Sequence, residues 1–167
     1  MTVAIGPIES NKVGDVPSAF IVPDFIAGLI YGFTGDNHLD ELRTCMTDLD
    51  RLALDINVVF WQLKEVRPIG ALNGLRQLFG DLPKTVSQCR SMDEDLAEIE
   101  AWAAVFEDKE HLTKTITKHW LIHGKEVKAD VAQEEADRAA GDYFKAGEDT
   151  AEILTILIGP VQPVEIQ

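Results

Sequence analysis

Two histidines, His119 and His123, have the spacing of a metal-binding pair, because residues four apart lie on the same face of a helix. Two imidazoles placed in this way can supply two ligands to zinc or copper. The residues between them are Trp, Leu and Ile, so the glutamate of a metalloprotease motif is absent, and His111 lies too far along the helix to complete the set. We therefore expect both histidines to lie in or beside the core, and we predict no metal site.

Short acidic clusters are the other candidate ligands, and they occur at Asp93–Asp95, Glu107–Asp108 and Glu134–Asp137. A calcium loop needs oxygen ligands that alternate along a tightly turned backbone. These clusters fall on predicted helices, where a solvated acidic face is the more common arrangement. The chain also has no Gly-x-Ser-x-Gly motif and no phosphate-binding glycine loop. The sequence therefore predicts a protein that is not an enzyme and needs no cofactor.

The two cysteines, Cys45 and Cys89, each lie 22 residues from Arg67. If two long helices meet at the turn Arg67–Gly70, both cysteines stand at the same height, about 33 Å from that turn. A Cys45–Cys89 disulfide is therefore predicted, and the alternative is two buried free thiols. A disulfide would indicate an extracellular or luminal location, although residues 1–4 do not begin a recognisable signal peptide.

The spacing of apolar residues predicts the helices that must position these groups. Apolar side chains recur at steps of three and four on both sides of the Arg67–Gly70 turn, which indicates two long amphipathic helices, with a kink expected at Phe79–Pro83. Further helices are expected from Glu110 to Gly141 and from Asp142 to Ile158. A short helix at Phe25–Phe33 is apolar on all sides and should be buried.

Short links between these helices predict an all-α fold, an antiparallel bundle of about four long helices plus the short N-terminal helix. The predicted organisation is an extended arm at residues 1–23, a bundle domain at 24–159 and a tail at 160–167. The 167 residues suit one domain.

Charge and hydropathy exclude several classes of partner. A net charge of −14 with no visible basic patch is unfavourable for binding nucleic acid or an anionic lipid surface. The longest apolar runs, Phe25–Phe33 and Ile153–Val161, are far shorter than the roughly 20 residues that span a bilayer. No transmembrane segment is expected.

Four features together resemble those of uncharacterised, small, predicted-secreted helical proteins of single-celled eukaryotes: Cys45, Cys89, Trp120–Lys125 and Ala140–Asp149. The resemblance extends loosely over residues 25–160. It implies the same helical, disulfide-linked architecture and brings no activity and no site.

Two further groups of residues bear on function. Trp61, Trp102 and Trp120 lie on three predicted helices, where they are expected to fill the core or, alternatively, to line a cavity for an apolar ligand. The N-terminal arm is unusually apolar for a loose tail, so it should pack either on its own bundle or on a neighbouring copy. The residues of this candidate assembly arm are Ile5, Ile8, Val16, Phe20, Ile21 and Val22.

The sequence thus favours a non-enzymatic structural protein that associates with itself as a homo-oligomer or filament. The alternative function is a carrier of a lipid or another small apolar ligand held between the helices.

Overall fold

Every regular element in the described residues, 18–64 and 72–162 of the computed structural model, is a helix. The predicted all-α class is confirmed, while the antiparallel arrangement of about four long helices stays a prediction. Two 3-10 turns, Arg90–Met92 and Ala104–Glu107, flank the fifth of the α-helices. The α-helices are α1 Ser18–Thr34, α2 Leu39–Cys45, α3 Leu49–Lys64, α4 Leu72–Thr85, α5 Asp93–Ala103, α6 Lys109–Ala139 and α7 Tyr143–Leu157.

Helix α1 lies at the centre of the fold, and residues 21–30 are all buried. Helix α7 packs along α1, α6 packs along α7, and α3 pairs with α4. A helix that is apolar on every side is stable only when neighbours surround it, and the predicted burial of Phe25–Phe33 holds for residues 25–30, whereas Tyr31 is 38% exposed. Its charged residue, Asp24, accepts two hydrogen bonds from Arg43, at 2.8 and 2.9 Å.

Glycines allow α1 and α7 to approach closely. A Cβ atom at Gly28 would overlap the backbone carbonyl of Phe144, and a Cβ at Gly147 would overlap the carbonyl of Phe25. The two backbones therefore touch directly, and any side chain at either glycine would force the helices apart.

The predicted extended arm is wrong over residues 18–23, because α1 begins at Ser18 and passes through Pro23. Proline removes one hydrogen bond from a helix interior. Burial of Ile21, Val22 and Phe25 offsets this loss, because packing of apolar faces supplies most helix stability in proteins. The rest of the arm, and residues 163–167 of the tail, lie outside the described residues.

The long helix predicted before the Arg67–Gly70 turn is in fact two helices. The backbone N–H of Thr47 donates to the carbonyl of Thr85 at 2.9 Å, and Asp48 has a left-handed φ of 58°, so the chain breaks between α2 and α3. The apolar spacing continues across this break and therefore conceals it. Conversely, α4 runs unbroken from Leu72 to Thr85, so the helix is not interrupted at Phe79–Pro83, where a kink or a one-residue break was predicted.

The boundary between α6 and α7 agrees closely with its prediction. Gly141 has a φ of 82°, which favours glycine, and Asp142 Oδ1 accepts a hydrogen bond from the backbone N–H of Lys145 at 3.1 Å. Within α6, His123 departs from helical φ and ψ.

Candidate self-association surface

An exposed apolar stripe runs along α3. Leu54, Val58 and Trp61 are 59%, 47% and 48% exposed, and their spacing of four and three places them on one face of the helix. We call these three residues the α3 stripe. Exposed apolar residues scattered singly are ordinary, whereas a contiguous row marks a site of interaction.

The stripe is exposed because the opposite face of α3 already faces the core. Leu52, Ile56 and Phe60 are buried on that face, so α3 is apolar on two sides and only one of them is covered. The Val58 side chain packs closely on Gly74 of α4, because a Cβ atom added to Gly74 would lie only 3.0 Å from Val58 Cγ1. The stripe is therefore presented by two tightly packed helices.

Acidic groups flank the stripe. Asp55 follows Leu54, and one of its carboxylate oxygens is buried without a hydrogen-bond partner. Burial and the adjacent Asp81 carboxyl raise the pKa of Asp55 to about 7, while Arg51 opposes the change. Arg51 Nη1 lies 3.7 Å from Asp81 Oδ1. Protonation of Asp55 near neutral pH would remove a negative charge beside the stripe.

A second apolar patch lies on α6, where Leu121 and Ile122 are 79% and 64% exposed. Lys114 and Lys118 line the same open groove as these two residues, together with Thr113 and Thr117. We call Leu121, Ile122, Lys114 and Lys118 the α6 patch. The chain as a whole has a net charge of −14, whereas this patch places two lysines beside exposed apolar side chains.

The predicted cysteine pair is joined by a disulfide in the structure, with a Cα–Cα distance of 5.3 Å. The cysteines do not lie on two continuous helices that meet at the Arg67–Gly70 turn, because Cys45 ends α2 and Cys89 precedes a 3-10 turn. The bond therefore ties two helix ends together and is not a rung between two continuous helices.

The histidine pair makes separate local contacts. Since the Leu157 carbonyl can only accept, His119 Nδ1 donates to it at 2.8 Å, whereas His123 Nδ1 lies 3.0 Å from Glu126 Oε1. The ring centroids are 6.5 Å apart. Both residues lie at the edge of the fold.

The three tryptophans contact different neighbours. Trp102 packs against Phe79 and Phe106 and donates to the carbonyl of Gly159 at 2.9 Å. Trp120 is partly buried beneath Lys128. Trp61 belongs to the exposed α3 stripe, so its predicted place in the core is wrong. The core-facing positions near it are occupied by Phe60 and Leu63.

The candidate assembly arm divides into two parts. Ile21 and Val22 are buried within their own chain, and Phe20 is partly buried beneath the Arg43 guanidinium, which lies 4.4 Å from the ring centroid. These residues are therefore packed in cis and are not available to a neighbouring copy. Ile5, Ile8 and Val16 lie outside the described residues.

Two acidic residues expected on solvated faces are buried instead. Asp95 is 7% exposed and lies 2.7 Å from His38, and Glu134 is fully buried and bonded to Arg138 at 2.6 Å. A signal for Asp95 was present in the sequence, because Asp95 falls three residues after Met92 and four before the buried Ile99. That register places it on the apolar face.

No family model, curated protein or solved structure matches this chain. Across residues 18–64 and 72–162, no helix has the length and apolar character required to cross a membrane.

Proposed function

We propose that this protein is a non-enzymatic structural protein that associates with copies of itself, the α3 stripe of one copy packing against the α6 patch of the next. The observation that carries the proposal is the presence of two exposed apolar surfaces of different charge on one chain. Because the two surfaces are not alike, the contact is heterologous, and it produces a ring if it closes and a filament if it does not.

Complementary charge favours contact between a stripe and a patch over contact between two stripes or two patches. Asp50 accompanies the α3 stripe, and Lys118 accompanies the α6 patch, where Lys114 is paired with Glu110 at 3.7 Å. Two α3 stripes brought together would place like charges near each other, whereas a stripe against a patch brings opposite charges together. The apolar residues supply the affinity, and the charges select the pairing.

The net charge of −14 makes the association dependent on pH. Every copy repels every other at neutral pH. Acidification reduces this repulsion, because carboxyl groups whose pKa is raised take up protons, among them Asp149, whose pKa burial and the adjacent Asp137 raise to about 8. We therefore propose that the protein assembles more readily at pH 6 than at pH 8, and that it does so in an extracellular or luminal compartment, where its disulfide persists.

Two double variants test the pairing. The first, Leu54→Ser with Trp61→Ser, removes the stripe, and the second, Leu121→Ser with Ile122→Ser, removes the patch. We expect the light-scattering mass of the wild-type protein to rise with concentration at pH 6, and each variant alone to remain a single chain. An equimolar mixture should form a complex of two chains, because each variant keeps one intact surface. Tyr31→Ser, at an exposed aromatic on α1, serves as the control and should assemble like the wild type.

Three results would contradict the proposal. A wild-type protein that remains a single chain at about 1 mM and pH 6 has no useful affinity for itself, since that threshold corresponds to only about 4 kcal/mol of binding. Assembly of the patch variant on its own would show that stripes pair with stripes. Assembly of the stripe variant on its own would show that the contact lies elsewhere.

The carrier alternative predicts a ligand cavity lined by the tryptophans. Trp61 is exposed, and Trp102 and Trp120 contact different neighbours, so their placement gives that function no support.

A further inference from the structure

Three potential metal ligands converge where the segment after α1 meets the start of α5. His38 Nε2 lies 2.7 Å from Asp95 Oδ2, and one ligand atom from each of Asp36, His38 and Asp95 lies within 4.8 Å of the others. Asp36 and His38 belong to one segment of the chain, and Asp95 lies 57 positions after His38. Folding, and not local sequence, assembles the cluster.

The histidine is held from its other side by an ordered carboxylate. Glu41 Oε1 lies 3.7 Å from His38 Nδ1, and Glu41 accepts hydrogen bonds from the Ser91 hydroxyl and from the Ser91 backbone N–H, the latter at 3.3 Å. At 3.7 Å the contact between Glu41 and His38 is electrostatic and longer than a hydrogen bond, and a carboxylate on the Nδ1 side of a histidine favours Nε2 as the ligand atom. In this arrangement His38 Nε2 is aimed at Asp36 and Asp95.

The disulfide fixes the two halves of the cluster relative to each other. Cys45 ends the helix that begins one residue after His38, and Cys89 immediately precedes the 3-10 turn that leads to Asp95. A covalent link so close to both halves limits how far the ligands can separate. The cluster is therefore held together before any ion binds, which reduces the entropy cost of binding.

The electrostatics favour a cation at this position. Asp95 is 7% exposed, and a second carboxylate, Asp36, lies beside it. Two carboxylates and one imidazole in a partly buried site carry negative charge that a divalent ion would balance. Asp36 is exposed, so one side of the cluster is open to solvent for the entry of the ion and for water ligands.

We propose that Asp36, His38 and Asp95 form a binding site for a divalent transition-metal ion of the zinc type, with Glu41 as the residue that orients His38. Zinc binds imidazole nitrogen and carboxylate oxygen at about 2.0 to 2.2 Å, and the ligand atoms of this cluster, which lie within 4.8 Å of one another, could surround such an ion once it replaces the His38–Asp95 hydrogen bond. Calcium requires six to eight oxygen ligands, and magnesium rarely uses an imidazole, so both should bind far more weakly. The ion would join the loop after α1 to α5.

Calorimetric titration with zinc chloride, after treatment with a chelator and buffer exchange, tests the site on the intact disulfide-bonded chain. We expect one high-affinity zinc ion per chain and, because only the folded chain assembles the ligands, a rise in melting temperature with zinc. Asp36→Asn should weaken zinc affinity by at least about tenfold and abolish the thermal shift, since even an outer partner of a metal ligand is worth about 10- to 100-fold. Asp36 is exposed, so this variant retains its fold, which circular dichroism can verify.

A matched control distinguishes this site from the histidine pair on α6. His123→Gln removes an imidazole that lies against Glu126 and far along the chain from the cluster, and it should leave the zinc affinity unchanged. Loss of the high-affinity ion in His123→Gln with retention in Asp36→Asn would overturn the proposal in favour of the α6 pair. Absence of a thermal shift with zinc in the wild type, or equal affinity for calcium and zinc, would also overturn it.

Discussion

The carboxyl pair formed by Asp137 of α6 and Asp149 of α7 should make the protein more stable in mild acid than in mild base. Each residue has a carboxylate oxygen that is buried without a hydrogen-bond partner. Burial, and then the adjacent Asp137 carboxyl and the Glu134 charge, raise the pKa of Asp149 from 3.8 to about 8, with Lys145 acting in the opposite direction. In the folded protein the pair therefore holds a proton that the unfolded chain releases.

The direction of the effect follows from linkage. A carboxyl group whose pKa is raised by folding contributes its full stability below its unfolded value of 3.8 and loses it as the pH rises through about 8. Each tenfold change in an ionisation constant is about 1.4 kcal/mol, so the full change would amount to about 5 to 6 kcal/mol. Because Asp149 is partly solvated and shares the proton with Asp137, we expect roughly half of this, about 2 to 3 kcal/mol between pH 5 and pH 8.

Asp149→Asn isolates this contribution. The amide has nearly the same shape as the acid, carries no charge, and can donate a hydrogen bond to the unpartnered oxygen of Asp137. Urea unfolding followed by circular dichroism at pH 5, 6, 7 and 8, at constant ionic strength, gives the free energy of unfolding at each pH. We expect the variant to be more stable than the wild type at pH 8. Between pH 5 and pH 8 its free energy of unfolding should fall by about 2 to 3 kcal/mol less than that of the wild type.

An exposed carboxylate provides the control for net charge. Glu100→Gln removes the same single charge from the exposed side of α5 and should leave the slope of stability against pH unchanged. If Asp149→Asn and Glu100→Gln gave the same slope as the wild type, the Asp137–Asp149 pair would not share a proton. If Glu100→Gln flattened the slope as much as Asp149→Asn, general charge repulsion would explain the effect.

Two other predictions concern the covalent link and the central helix contact. Replacement of both Cys45 and Cys89 by Ser should lower the free energy of unfolding by up to about 4 kcal/mol in the chain-entropy model, and equal urea midpoints for the oxidised and reduced wild-type protein would contradict it. Gly28→Ala should destabilise by more than about 3 kcal/mol, because its Cβ meets the Phe144 carbonyl. By contrast, Gly80→Ala, on the exposed side of α4 with open space around it, should stabilise by about 0.5 to 1 kcal/mol. Similar melting temperatures for the two glycine variants would show that α1 and α7 are not in backbone contact.

The sequence was sufficient to predict the class of fold and the burial of α1, because both follow from local patterns. Apolar residues on all sides of Phe25–Phe33 require surroundings that exclude water, and residues 21–30 are indeed buried. The break before α3 could not be predicted in this way. It depends on the hydrogen bond from Thr47 to Thr85, which joins residues that only the tertiary fold brings together.

Of the residues on the candidate surfaces, only Trp61 was considered from the sequence, where it was expected to fill the core or to line a cavity, whereas it lies on the exposed face of α3. Leu54, Val58 and Trp61 have helical spacing just as Ile56, Phe60 and Leu63 do, and apolar periodicity alone does not say which of two apolar faces is covered. The outcome depends on the tertiary packing, which buries Ile56, Phe60 and Leu63 and leaves Leu54 and Trp61 exposed. Asp95 illustrates the reverse case, because its register on the apolar face outweighed its membership of an acidic cluster.

The close contact between α1 and α7 also has a consequence for the order of events during synthesis. The face of α1 that carries Phe25, Gly28 and Leu29 packs against Gly147 of α7, yet α7 begins at Tyr143, 109 positions after α1 ends at Thr34. Until Gly147 can seat against α1, the most apolar helix of the described chain remains without its principal neighbour. Helical proteins usually fold quickly through contacts that are close in sequence, whereas here the central contact closes a loop that spans most of the chain. We therefore expect the nascent protein to depend on chaperones that shield apolar segments, and the contact between α1 and α7 to form only after α7 has been synthesised.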